Sequence, residues 1–189
     1  MNRSGKIVLI LTGGLLVLCL FLGAAGYVAW RGTGWFLSQT VESDPATVAT
    51  VSDAIADYTL PAGFGAGYAI NMADFSMVTY TAIDGRSHIY LIQAPPSLAL
   101  DRDDLEQQMR QASRTDVWTE VRVVDRQPCQ VRGQETTLVV SEGVSHDGQR
   151  YRSASALFQG NDGLALVNIS GPANTWDQAM VETFIESLH

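Results

Sequence analysis

Three histidines, a free thiol and a short run of aspartates are the side chains in this 189-residue chain that could bind a metal or transfer a proton. His88 and Tyr90 stand two apart in an alternating stretch, so a strand would project both from one face. That polar-aromatic face is the nearest thing to a binding candidate. The competing reading is that a neighbouring helix or strand covers it. His146 abuts a turn signal and His189 is the last residue, and neither has a second ligand at zinc spacing. Asp101, Asp103 and Asp104 lack the glycine and spacing of a calcium loop, and helix capping explains them better.

Other chemistries leave no trace. There is no Gly-x-Ser-x-Gly elbow and no Ser-x-x-Lys motif. Beyond Lys6 the chain has no lysine, which excludes a Schiff-base mechanism there. Gly63-Phe64-Gly65-Ala66-Gly67 lacks the third glycine of a dinucleotide loop and the Gly-Lys-Ser/Thr ending of a P-loop, and reads as a turn into a strand. Asn168-Ile169-Ser170 matches a glycosylation sequon but falls in an expected strand. No catalytic, cofactor-binding or metal-binding residue is therefore singled out, and no cofactor is expected.

The first thirty residues contain an apolar run, Ile7 to Trp30, bounded by Lys6 and Arg31 with no charge between. At about 1.5 Å per residue it is long enough for the roughly 30 Å hydrocarbon core of a bilayer. A cleaved signal peptide competes, because Gly23-Ala24-Ala25 offers the small residues a signal peptidase reads. Against cleavage, the run exceeds a usual signal core, and Tyr27, Trp30, Trp35 and Phe36 cluster where a span would leave the bilayer. Leu18 before Cys19 does not fit a lipidation site. Arg3 and Lys6 precede the run, so the amino end is expected in the cytoplasm and the rest outside. Gly13, Gly14, Gly23, Ala25, Gly26 and Ala29 leave room for a weak homodimer through the span.

The charge then divides unevenly. Two of the 12 basic residues precede the run and all 20 acidic residues follow it, which leaves ten arginines and a net charge of −10 beyond it. Such a surface repels nucleic acid. Cys19 lies in the run and Cys129 stands alone beyond it, so no disulfide framework forms. Cys129 reads as a small buried apolar residue.

The remaining residues supply one core. Asp44-Pro45 starts a helix with Val48, Val51 and Ile55 in one stripe, ending before Pro61. Asp84-Gly85 centres a hairpin that pairs Thr81 with His88, Tyr80 with Ile89, Thr79 with Tyr90, Val78 with Leu91 and Met77 with Ile92. Val78, Tyr80, Ile89 and Leu91 form its core face. A helix from Asp101 buries Leu105, Met109 and Ala112. Residues 117–123 alternate as a strand, and a short strand follows near 129–132. Residues 135–142, 150–159 and 164–170 read as a meander turning at Asp147-Gly148 and Asp162-Gly163, with Val139, Ala156, Phe158, Val167 and Ile169 on one face. A closing helix over 174–188 carries Trp176, Met180, Val181, Phe184, Ile185 and Leu188.

This order of elements, over residues 44–188, resembles that of the PsbP-like proteins and the Ran-binding Mog family. The resemblance implies an α/β/α sandwich around an antiparallel sheet and carries no functional residues. Tyr58-Thr59-Leu60-Pro61-Ala62-Gly63-Phe64 also resembles a phrase of uncharacterised exported bacterial proteins. The expected architecture is thus α+β: residues 1–6 a cytoplasmic tail, 7–30 a transmembrane helix, 31–43 a stalk, and 44–189 an extracytoplasmic domain with a mainly antiparallel sheet packed by helices. The expected partners are the lipid bilayer along 7–30 and a protein or small ligand for the domain. The expected function is non-catalytic binding. The alternatives are an accessory or assembly subunit of a membrane complex, and an envelope enzyme using His88, Tyr90 or His146.

Overall fold

The computed structural model describes residues 41–72, 75–95, 118–145 and 148–189. Strands β1 (Val41–Glu42), β2 (Phe64–Met72), β3 (Phe75–Ala82) and β4 (His88–Gln93) form one meander. Strands β5 (Trp118–Val131), β6 (Gln134–Ser145), β7 (Arg150–Gln159) and β8 (Leu164–Pro172) form a second. Helix α1 (Pro45–Ile55) lies between β1 and β2, and α2 (Gln178–Ser187) follows β8 after a 3₁₀ turn at Ala173–Thr175. The two meanders fuse because β8 pairs antiparallel with β4. The result is one eight-stranded sheet in the order β1-β2-β3-β4-β8-β7-β6-β5.

This architecture corrects two expectations. The domain is not an α+β fold of the α/β/α sandwich kind but one large antiparallel sheet with two helices among the described residues. Nor does the structure supply a transmembrane helix. Among the described residues no helix is long and apolar enough to cross a membrane, and the run at 7–30 lies outside them. The helix expected from Asp101 lies outside them as well. Val41–Glu42, in the segment read as a stalk, pairs with Ile70 and Ala69 as an edge strand.

Both helices form for the expected reasons. Asp44 caps α1 by accepting the Thr47 N–H at 3.2 Å, Pro45 starts the first turn, and Val48, Val51 and Ile55 are buried. Asp177 caps α2 by accepting the Met180 N–H at 3.0 Å, so the helix begins at Gln178 rather than at residue 174, which falls in the 3₁₀ turn. Val181, Phe184 and Ile185 of α2 join the same core, over Val78, Ile89, Leu91, Val167, Ile169, Ala156, Phe158, Leu138 and Val140 of the sheet. Each fully buried aliphatic or Phe side chain contributes roughly 1.5–3 kcal/mol. Tyr58 joins the layers, stacking edge-on against Phe184 and Tyr80 at centroid distances of 5.5 and 6.0 Å. Its hydroxyl donates to that of Tyr80 at 2.5 Å and accepts from Ser52. Burial pushes the Tyr58 phenol well above its ordinary pKa.

The turns set the registers. The β3–β4 hairpin pairs Thr81 with His88 through Met77 with Ile92, as expected. Its tight turn is closed by the Gly85 N–H donating to Ala82 O at 2.8 Å, with Gly85 at φ +69°. Between β6 and β7 the expected face fails by one residue: Thr136, Leu138 and Val140 turn inward, and Val139 lies on the opposite face. The cause is a three-residue loop. Ser145 pairs with Gln149, and Gly148, at φ +80°, donates its N–H to Ser145 O. Between β7 and β8 the turn centres on Asn161–Asp162 instead of Asp162-Gly163. That displaces the register by two and preserves the buried face of Ala156, Phe158, Val167 and Ile169. Tertiary bonds select this turn. The Asn161 N–H donates to Ile55 O, its Nδ2 to Asp53 O, and the Asp162 N–H to the buried Gln93 Oε1.

Gly67 is the extra residue of a bulge in β2, and Gly65 lies in that strand, so the glycine-rich segment is strand rather than phosphate loop. The strands expected at 117–123 and 129–132 are the single 14-residue β5 with two irregularities in its pairing.

Gly160 sits where an added Cβ would lie 2.4 Å from Gln93 Oε1 and 3.1 Å from Ile55 O. Gly160→Ala should therefore lower stability by about 1–3 kcal/mol in urea denaturation. Gly65→Ala, which meets nothing within 4 Å, should change it far less.

Candidate functional site

The structure brings two of the sequence-flagged side chains together. His88 and Tyr90 project from the sheet face opposite the helices, with ring centroids 6.0 Å apart and planes tilted by 39°. The Thr81 hydroxyl lies 3.3 Å from His88 Nδ1. Partial burial pulls the imidazole below its ordinary pKa, against a smaller upward pull from Asp84, and pushes the Tyr90 phenol up. Their neighbour Thr79 is 2% exposed, and its Oγ1 has no hydrogen-bond partner. His146 lies outside the described residues, and His189 donates and accepts backbone bonds with Asp57. Among the described residues no three His, Cys, Asp or Glu side chains converge as a metal site.

A concave region lies between α2 and the β5–β6 hairpin, and the sequence-flagged His189 and Cys129 are among the residues that line it. A cleft of about 860 Å³ opens there, floored by Cys129, Leu138, Ile185 and Leu188 and rimmed by Glu182 and Glu186. Its hairpin wall is built by Arg132–Gly133, whose φ values of +54° and +73° mark the two-residue turn that matches the twist of the flanking strands. Val131 faces the core beside that turn, while Gln127 and Cys129 line the cleft from the same side of β5. Arg132 is steadied by its Nη1, which donates to Gln159 O at 3.2 Å.

Helix α2 supplies the other wall. Its apolar stripe turns Ile185 and Leu188 inward, which leaves Glu182 and Glu186, one helical turn apart, on the rim. A relay orients the first of these: Trp176 Nε1 donates to Gln178 Oε1, and Gln178 Nε2 donates to Glu182 Oε1, both at 3.0 Å.

No known family model matches the chain, and neither does any curated protein.

The Cys129 thiol is half-buried, and burial raises its pKa, so it lines the floor as a protonated, weakly nucleophilic group. The sequence reading missed this site. Its signals were present in two features: strand-like residues on both sides of the dipeptide Arg132-Gly133, and two glutamates at helical spacing opposite an apolar stripe.

His88 gives a pH test of the opposite face. Its folded pKa lies below the unfolded value, so the unfolded chain binds the extra proton. Stability should be fully present above about pH 6.5 and fall as pH drops through that value. The urea midpoint should decline between about pH 7.5 and 5.5, with a shallower decline in His88→Gln.

Proposed function

We propose that this protein is a non-catalytic binding module whose ligand or partner occupies the cleft between α2 and the β5–β6 hairpin. One observation carries the reading: a cleft of about 860 Å³, closed beneath by the buried Leu138, Ile185 and Leu188, carries charged groups at its rim that helix α2 holds in place. The opposite face, with His88 and Tyr90, supplies packing and polar surface rather than a reacting pair. The domain works outside the cell. That location is supported by the apolar run from Ile7 to Trp30, the basic residues before it and the strongly acidic domain beyond it.

Two measurements test these statements. A photoreactive phenylalanine analogue at Gln130, on the cleft's hairpin wall, should give a discrete adduct on irradiation of living cells. The same analogue at Ile83, 92% exposed in the β3–β4 turn, should not. Equal labelling from both positions, or none from Gln130, would remove the cleft as the binding site. For location, protease added outside intact cells or spheroplasts should digest the folded domain's exposed turns. Protection until the membrane is broken would place the domain inside.

A further inference from the structure

We infer that the cleft binds an extended, basic peptide segment of a partner protein, which adds to the free edge of β5 as a ninth strand. The inference rests on the cleft being the binding site. It adds the chemistry of what binds there.

The first observation is the position of β5. It ends the sheet order, so its outer side meets no other strand of the sheet among the described residues. The Arg132–Gly133 turn makes Val131 and Gln134 a hydrogen-bonded pair, and alternation from there fixes which groups face outward. Gln130, Pro128 and Arg126 fall in the non-bonded pairs, opposite Glu135, Thr137 and Val139. Their main-chain groups therefore point away from β6. Pro128 occupies a position where the missing N–H costs the ladder nothing. The Arg126 N–H is already taken by Asp125 Oδ1 at 2.7 Å. Among the described residues, what stays open is the Gln130 N–H and C=O together with the Pro128 C=O, directly beside the cleft.

The second observation is the groove that runs along this edge. A strand laid on β5 directs alternate side chains toward the helix side of the sheet, where the half-buried Cys129 is accessible, Glu182 and Glu186 stand on the helix wall, and Glu135 and Arg132 on the hairpin wall. Alternate positions of the added strand then meet the carboxylates, which outnumber the one arginine of this lining. Lys or Arg suits such positions, because its cation reaches the carboxylates of the rim while its alkyl stem lies along the half-buried Cys129. The net charge of −10 beyond the apolar run draws basic segments toward this surface over longer range.

Charge also argues against the simplest alternative, a second copy of this chain pairing β5 with β5. A two-fold contact at that edge would set the α2 helices on one face of a continuous sheet. The acidic rim of each cleft would then meet its own like-charged counterpart.

The test pans a phage-displayed library of random linear dodecapeptides on the purified full-length protein. Enriched sequences should carry Arg or Lys at alternating positions among apolar residues. The best of these, made synthetically with a fluorophore, should bind by anisotropy and weaken as salt rises. Gln130→Pro removes the outward N–H at a position that, like Pro128, costs the β6 ladder nothing, and should weaken binding by about tenfold. Glu182→Lys combined with Glu186→Lys should weaken it by about tenfold at low salt. The same peptide N-methylated at alternate residues should lose binding, a result independent of how any variant folds. Enrichment of acidic or uncharged sequences, or undiminished binding of the N-methylated peptide, would overturn the inference. If the library yields nothing while the Gln130 photoprobe still captures a ligand, the peptide assignment fails and the cleft reading stands. If neither gives a product, both fail.

Discussion

The pairing of β4 with β8 is the constraint on which the rest of the structure depends. Each meander alone has four strands and an unsatisfied inner edge. The six-residue ladder from His88–Ser170 to Gln93–Ala165 removes both edges at once. It also sets Ile89 beside Ile169 and Leu91 beside Val167, all fully buried, so the seam is both hydrogen-bonded and apolar. With the seam closed, α1 and α2 share one core on one side of a continuous sheet. The remaining long edge, β5, is then displaced to the far end of the sheet from β1.

A second set of interactions locks the seam at one end. Gln93 ends β4, is buried, and accepts the Asp162 N–H from the turn between β7 and β8. Asn161 in the same turn donates to the backbone at the end of α1 through both its N–H and its side chain. One turn thus ties α1, β4 and β8 together, and Gly160 is small because two of those elements press on it. Tyr58 plays a comparable part nearer the centre, where its ring meets Phe184 of α2 and its hydroxyl meets Ser52 of α1 and Tyr80 of β3.

These long-range ties separate what was legible in the sequence from what was not. The stripe of α1, its Asp44 cap and the β3–β4 register depend on residues close in sequence, and they were readable. The β7–β8 turn is chosen by Asp53, Ile55 and Gln93, all distant in sequence, so its Asp-Gly signal misled by one position. The face of β6 turned on whether the loop before Gln149 holds two residues or three, a difference local rules leave open where Asp-Gly suits both. The seam itself had no signal, since nothing in the alternation of β4 or β8 names its neighbour. The two-layer packing was hidden for the same reason. The cleft was hidden because it exists only once α2 lies against a strand far earlier in the chain.

Edge strands invite unwanted pairing, and β5 is long enough to be a hazard. Most of its length is made poor for pairing. Irregular pairing interrupts it between Thr119 and Arg122 and again between Val123 and Asp125, Asp125 occupies the Arg126 N–H, and Pro128 offers no N–H at all. Beyond them Gln130 has no partner for its outward groups among the described residues, and it lies where the edge runs alongside the cleft. A sheet protecting itself from aggregation has no reason to stop short at that residue, because a second proline or a bulge there would have closed the edge completely. The open stretch coincides with the place where the acidic rim can discriminate what pairs. Main-chain bonds alone would accept any strand. In the proposed peptide complex the carboxylates of Glu182 and Glu186 would restrict that acceptance to cationic segments, so that the blunted part of the edge and the acidic rim would serve one selectivity.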